Sequence, residues 1–123
     1  MPTRRILVVE DNEMNMQLVE YLLEEGGFEI VKATSGEEAL AFTVSDTDTL
    51  DLILMDIHLP GMDGLSVVRQ MKENVGTARI PILALTAHAM RGDKDRFLEA
   101  GCDGYISKPI DVKTFIRSIE QYL

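Results

Sequence analysis

Five short apolar stretches recur along the chain, and the longer segments between them carry apolar residues at helical spacing. The stretches run from Ile6 to Val9, Phe28 to Ala33, Leu52 to Met55, Ile82 to Leu85 and Tyr105 to Ile106. Nearly continuous apolar runs of this length are typical of strands buried on both faces, as in a parallel sheet that helices cover. The pattern therefore predicts five strands alternating with helices.

The segments between the strands indicate where the helices lie. Ser35 and Glu38 have the spacing of a capping box, and Asp111 is predicted to be the N-cap of the last helix. Apolar stripes mark the first helix at Met14, Leu18, Leu22, Val19 and Leu23, and the last helix at Val112, Phe115, Ile116, Ile119 and Leu123. Five strand-then-helix units predict an α/β fold: a doubly wound five-stranded parallel sheet, order 2-1-3-4-5, with helices on both faces and a flavodoxin-like topology.

The strand order determines where a ligand would bind. The order reverses between strands one and three, and ligands of open α/β sheets bind beyond the carboxyl ends of the strands at such a reversal. Strand one runs into Glu10 and Asp11, and strand three ends in Asp56. Three carboxylates so close together repel one another and resist desolvation, so a hard divalent cation such as Mg²⁺ is expected among them. The alternative for each carboxylate alone is that it faces water or caps a helix.

Two further polar residues fall at the same predicted edge. Strand four ends in Thr86, and strand five leads into Lys108. Alone, Thr86 is more often a helix cap and Lys108 a surface charge. Together with a metal ion and carboxylates, a hydroxyl and an ammonium form a pocket for a tetrahedral dianion, which is what phosphoryl transfer requires.

Composition narrows the functional class. The 123 residues, 46% hydrophobic and 27% charged, fit one globular domain spanning residues 1–123. Twelve Lys and Arg against 21 Asp and Glu give a net charge of −9, which argues against nucleic-acid or membrane partners. The single cysteine, Cys102, cannot form an internal disulfide, and the first apolar stretch is too short for a signal peptide. A monomer in the cytoplasm is expected.

The ordered motifs resemble those of response-regulator receiver domains over essentially the whole chain. Any one motif is weakly specific, whereas the ordered set at receiver spacing is highly specific. The matching segments are Val9 to Asn12, Leu54 to Gly64, Leu85 to Ala87 and Gly104 to Pro109. The resemblance extends, in the segments following Thr86 and preceding Tyr105, to hybrid-kinase receivers and to single-domain regulators of the bacterial cell cycle.

The resemblance implies a role for each site residue. Asp56 would accept a phosphoryl group from a histidine kinase or a histidine phosphotransfer protein. Mg²⁺, with Mn²⁺ as an alternative, would be bound by Asp11, Asp56 and the backbone carbonyl of His58, supported by Glu10. Thr86 and Lys108 would contact the phosphoryl oxygens, the Lys108–Pro109 bond would be cis, and Tyr105 would act as an aromatic switch signalling to a downstream partner. His58 and His88 stand at positions that bear on phosphate lifetime, with simple exposed histidines as the alternative.

Three other functions fit the fold less well. Haloacid-dehalogenase-type phosphohydrolases need a second aspartate two residues after the nucleophile, where this chain has His58, so an enzyme with steady turnover is not expected. A flavodoxin-like cofactor carrier would need a phosphate loop after strand one, where Glu10 and Asp11 would repel a flavin phosphate. An adaptor that is never phosphorylated would be expected to lack Asp56 or Lys108.

Overall fold

The computed structural model describes residues 4–45, 50–57, 63–74, 76–86 and 93–123. The strands are β1 Arg5–Val9, β2 Glu29–Ala33, β3 Leu52–Asp56, β4 Ile82–Thr86 and β5 Gly104–Ser107. The helices are α1 Glu13–Glu25, α2 Gly36–Ser45, α3 Gly64–Glu73, α4 Asp93–Ala100 and α5 Phe115–Glu120. The predicted alternation of strands and helices is confirmed. Within these described ranges, no helix combines the length and apolar character needed to cross a membrane.

All paired strands are parallel, and the sheet has the predicted order β2-β1-β3-β4-β5. The register places Val9 beside Met55 and Thr86 beside Ser107. Because neighbouring strands end almost level, the residues that follow β1, β3, β4 and β5 meet at one edge of the sheet. This edge is the one at which the sequence predicts a site.

Two apolar clusters cover the sheet, one on each face. Alternate residues of β1 belong to different clusters, with Leu7 and Val9 in one and Ile6 and Val8 in the other. Successive side chains of a strand point to opposite faces, so a strand covered on both sides has to be apolar throughout. Every residue of β3 and β4 is buried, which explains the nearly continuous apolar runs.

One of the two bonds of the predicted capping box of α2 is present, because the backbone N–H of Glu38 donates to Oγ of Ser35 at 3.1 Å. The Glu38 carboxylate accepts instead from the hydroxyl of Thr34 at 3.2 Å. The predicted N-cap of the last helix is wrong. Asp111 instead caps the turn that precedes α5, with its Oδ1 accepting from the N–H of Lys113 at 2.9 Å. The N-cap position of α5 is occupied by Thr114, which makes no side-chain capping bond.

The predicted apolar stripe of α1 is partly wrong. Leu22, Val19 and Leu23 are buried, but Met14 is 80% exposed and Leu18 is also exposed. The buried residue in the first turns of the helix is Met16. The helix is therefore rotated relative to the predicted stripe, and it presents Met14 and Leu18 to solvent next to the edge that bears Asp11.

Candidate functional site

The three predicted carboxylates meet at the carboxyl edge of the sheet. Glu10 and Asp11 follow β1, and Asp56 is the last residue of β3. Each can contribute one oxygen to a set in which all the atoms lie within 4.8 Å of one another. Glu10 and Asp56 are 1% and 3% exposed, whereas Asp11 faces solvent. Anionic oxygens at this spacing, with one side open to water, are suited to a hard divalent cation that keeps part of its hydration shell.

Lys108 lies between two of these carboxylates. Its Nζ is 3.0 Å from Oε2 and 3.3 Å from Oε1 of Glu10, and 3.5 Å from Oδ2 of Asp56. The backbone N–H of Lys108 donates to the carbonyl of Thr86 at 2.7 Å, which ties the end of β5 to the end of β4. The Lys108–Pro109 peptide bond is cis, as the resemblance implies. The ammonium group of Lys108 thus brings positive charge to a site whose other charged side chains are carboxylates.

The electrostatic balance of the site centres on Glu10. Burial raises the pKa of its carboxyl group above the ordinary value, and the charge of Asp56 adds to the rise. The ion pair with Lys108 and a hydrogen bond from Asn15 act in the opposite direction. Loss of hydration thus disfavours the charged form of the Glu10 carboxyl group, and the hydrogen bonds from Lys108 and Asn15 partly offset this effect.

Sequence reasoning missed Asn15. This residue lies in the first turn of α1, and its side-chain Nδ2 donates to Oε1 of Glu10 at 3.3 Å. The N-cap of the helix is Asn12, whose side chain accepts from the backbone N–H of Asn15 at 3.0 Å. The polar pair Asn12 and Asn15 after Glu10 indicates a helix start in the sequence, but not which way either side chain points.

The other predicted residues are distributed around this edge. Thr86 is buried at the end of β4. Tyr105 lies on β5, is 37% exposed, and its ring centroid is 6.2 Å from that of Phe97 on α4. His58 and His88 lie outside the described residues, so the predicted carbonyl ligand and the two histidine positions are not part of the observed geometry.

The start of α3 packs directly against the strand that bears Asp56. A Cβ atom on Gly64 would lie 2.5 Å from the carbonyl oxygen of Asp56 and 2.8 Å from Cα of Ile57. The N–H of Gly64 donates to the carbonyl of Ile57 at 3.3 Å. Only a residue without a side chain fits this approach, so Gly64 helps to fix the backbone at the end of β3.

Comparisons with known proteins show which family this chain resembles. The response regulator receiver domain family matches residues 6–120. The polar-differentiation response regulator DivK of Brucella ovis is 46% identical over 121 residues, which cover 98% of this chain and 97% of that protein. The chemotaxis response regulator CheY4 of Vibrio cholerae has a TM-score of 0.92 at 27% identity, covering 99% of this chain and 100% of that chain.

A second solved structure concerns the metal. The receiver domain of sensor histidine kinase PA1611 of Pseudomonas aeruginosa, described with a magnesium ion coordinated in its active site cleft, has a TM-score of 0.89 at 33% identity and covers 98% of both chains. Sequence, fold and site therefore lead to the same conclusion: the chain belongs to the response regulator receiver domain family of two-component signalling.

Proposed function

We propose that residues 1–123 form one receiver domain that accepts a phosphoryl group on Asp56 from a histidine kinase or a histidine phosphotransfer protein. The observation that carries the proposal is the position of Asp56, a buried carboxylate at a strand end, within reach of the Lys108 ammonium and two further carboxylates. Positioning and charge neutralisation account for most of the catalysis in phosphoryl transfer, and this edge supplies both.

The chemistry requires few groups from the protein. A carboxylate oxygen of Asp56 attacks phosphorus, the bond from phosphorus to the donor nitrogen breaks, and that nitrogen keeps the electron pair. The product is an acyl phosphate on Asp56 whose oxygens carry negative charge. The ammonium of Lys108, 3.5 Å from Oδ2 of Asp56, would donate to one of these oxygens, and the hydroxyl of Thr86 would donate to another.

Mg²⁺ is the cation that the site favours, with Mn²⁺ as an alternative. Asp11 and Asp56 would bind it directly with the backbone carbonyl of His58, and Glu10 would support it. The donor set consists of oxygens alone, which suits Mg²⁺ better than softer metals. A bound divalent ion supplies positive charge to the phosphoryl oxygens.

The proposed role is signalling rather than turnover of a free substrate. A phosphodonor protein would contact α1, the helix that follows Asp11 and exposes Met14, Leu18 and Tyr21. A downstream protein would bind the face of α4, β5 and α5, with Tyr105 as the switch residue. The similarity to DivK, a polar-differentiation response regulator, supports a function in the bacterial cell cycle. We propose that a cytoplasmic monomer carries it out, and the net charge of −9 argues against nucleic-acid and membrane partners.

Acetyl phosphate with Mg²⁺ tests the assignment of Asp56. Intact-mass spectra should show one phosphoryl adduct on the natural protein and none on Asp56→Asn. The matched control is Asp51→Asn, immediately before the same strand begins, since an Asn there can still accept the bond that Asp51 receives from the N–H of Arg5 at 2.8 Å. An adduct on Asp56→Asn, or none on the natural protein, would show that the assignment is wrong.

A further inference from the structure

We infer that Asn15 is a positioning residue, which holds the Glu10 carboxylate in place for the metal ion; the inference rests on the proposed function. Asn15 makes two bonds that serve different purposes. Its backbone N–H completes the N-cap with Asn12 at 3.0 Å, and its side-chain Nδ2 donates to Oε1 of Glu10 at 3.3 Å. The cap uses only the backbone N–H of Asn15, so any residue except proline could make it. The bond to Glu10 needs the side chain.

The N-cap does not account for an asparagine here, because it uses only the backbone N–H of this residue. The group that faces Glu10 has to be the amide NH₂, because an ionised carboxylate is only an acceptor. Asn15 therefore gives Glu10 a neutral donor.

Glu10 needs such a donor because water hardly reaches it. It is 1% exposed, and among the described residues Lys108 and Asn15 are the side chains that donate to it. A buried carboxylate that loses a donor is not compensated by solvent. Its orientation thus depends on these two partners.

The two donors differ in what happens to them during phosphorylation. Lys108 carries the charge that the proposed acyl phosphate on Asp56 would attract, and contact with the phosphoryl group would draw its ammonium from Glu10. Asn15 is neutral and lies on α1, so its bond to Oε1 can persist. An outer partner of this kind orients a carboxylate toward a metal without cancelling its negative charge.

Binding of Mn²⁺, followed by the electron paramagnetic resonance signal of the free ion, tests the inference without measuring phosphorylation. In Asn15→Ala the Mn²⁺ dissociation constant should rise about tenfold, at the lower end of the effect of losing an outer partner of a metal ligand. Asn15→Gln keeps an amide on a longer side chain and should recover part of the loss. The matched control is Gln17→Ala, an exposed amide on the same helix, which should bind Mn²⁺ as the natural protein does.

Two reference variants separate this inference from the proposed function. Asp11→Asn and Glu10→Gln should both weaken Mn²⁺ binding if the metal lies where we propose. Unchanged binding in Asn15→Ala beside weakened binding in these two would overturn the role of Asn15 alone. An equal loss in Asn15→Ala and Gln17→Ala would also overturn it, since the effect would then belong to the helix. Unchanged binding in Asp11→Asn and Glu10→Gln would overturn the metal site itself, and with it the role of Asn15.

Discussion

Lys108 and Glu10 form an ion pair in which both carboxylate oxygens accept from one ammonium, at 3.0 and 3.3 Å. The two side chains are 17% and 1% exposed, so solvent screens the pair weakly. The residues are 98 positions apart in the chain, and they meet because β1 and β5 end at the same edge of the sheet. The lysine proposed to contact the phosphoryl group thus has an anionic partner in the structure described.

Removing this lysine should destabilise the protein when Mg²⁺ is absent. Lys108→Ala leaves the Glu10 carboxylate buried without its cation, which should lower the free energy of unfolding at pH 7 by about 3 kcal/mol. The deficit should shrink at lower pH. Burial raises the pKa of Glu10 and Lys108 acts against that rise, so the pKa is raised further in the variant. The folded variant therefore binds a proton at higher pH than the folded natural protein does, and the stability that it loses as pH rises through that pKa returns as pH falls.

Urea unfolding in EDTA at pH 7 and pH 5 measures this difference. Lys113→Ala is the control, because Lys113 is exposed and its bond to Asp111 uses only the backbone. Equal stability of Lys108→Ala and the natural protein at pH 7 would contradict the prediction.

The sequence predicted the sheet well because burial on both faces leaves a strong signal. Each predicted strand agrees with the observed strand to within one or two residues, and the carboxylates fall where parallel strands end. The partners within the site were not predictable in the same way. The bond from Asn15 to Glu10 depends on the rotation of α1, and the exposed Met14 shows that apolar spacing alone misjudged that rotation.

Position at the sheet edge was therefore predictable, and side-chain pairing was not. The sequence placed Lys108 near the carboxylates, but its contact with Glu10 follows from the register of Thr86 and Ser107 and from packing across the whole sheet. Similarly, Asp111 has the residue type of an N-cap, yet the chain makes a turn before α5 begins. Local residue preferences do not decide between two adjacent turns.

A second prediction concerns the backbone behind Asp56. Gly64→Ala should lower the free energy of unfolding by about 2 kcal/mol, because the new Cβ would lie 2.5 Å from a main-chain oxygen of β3 that cannot easily move. It should also slow labelling of Asp56 by acetyl phosphate, since relief of the clash shifts the end of that strand.

Gly26→Ala provides the comparison. There a Cβ would meet side-chain atoms of Ile116 and Phe28 at 3.0 Å, and side-chain ends can adjust. Chemical denaturation and timed mass spectra of both variants measure the effects. If Gly64→Ala proved as stable and as readily labelled as Gly26→Ala, the proposed constraint on β3 would be refuted.

Cys102 gives a prediction for the alkaline range. Burial, together with the smaller effect of the Asp103 charge and against the opposing charge of Lys72, raises the pKa of its thiol from 9.0 to about 11. Unfolded protein therefore loses the thiol proton near pH 9, and folded protein keeps it until near pH 11. The stability that this group contributes is present below pH 9 and is lost as pH rises toward 11, by about 2 kcal/mol.

Cys102→Ala removes this titration and retains that of the tyrosines and lysines. Between pH 9 and 11 its free energy of unfolding should fall less steeply than that of the natural protein, whatever the effect of the lost sulfur at pH 7. Parallel slopes for the two proteins in urea unfolding would contradict the burial of a neutral thiol.

The last prediction concerns transmission of the signal through α4 and β5. Phe97 and Ala100 are the buried residues of α4 within 95–100, so the described part of this helix has little apolar anchorage to the sheet. Elements with few buried contacts shift at small energetic cost. Tyr105 packs against Phe97 with the rings inclined at 56°, so movement of either changes the exposed face.

Phosphorylation should shift the equilibrium of this face by about 1–3 kcal/mol, the usual scale of coupling between sites. Beryllium fluoride with Mg²⁺ mimics the acyl phosphate, and amide chemical shifts should change across residues 93–107 as well as around Asp56. Tyr105→Ala should reduce the changes in α4 and leave those around Asp56 in place. Changes confined to residues that touch the pocket would show that a partner reads the phosphate directly, without a shift of α4.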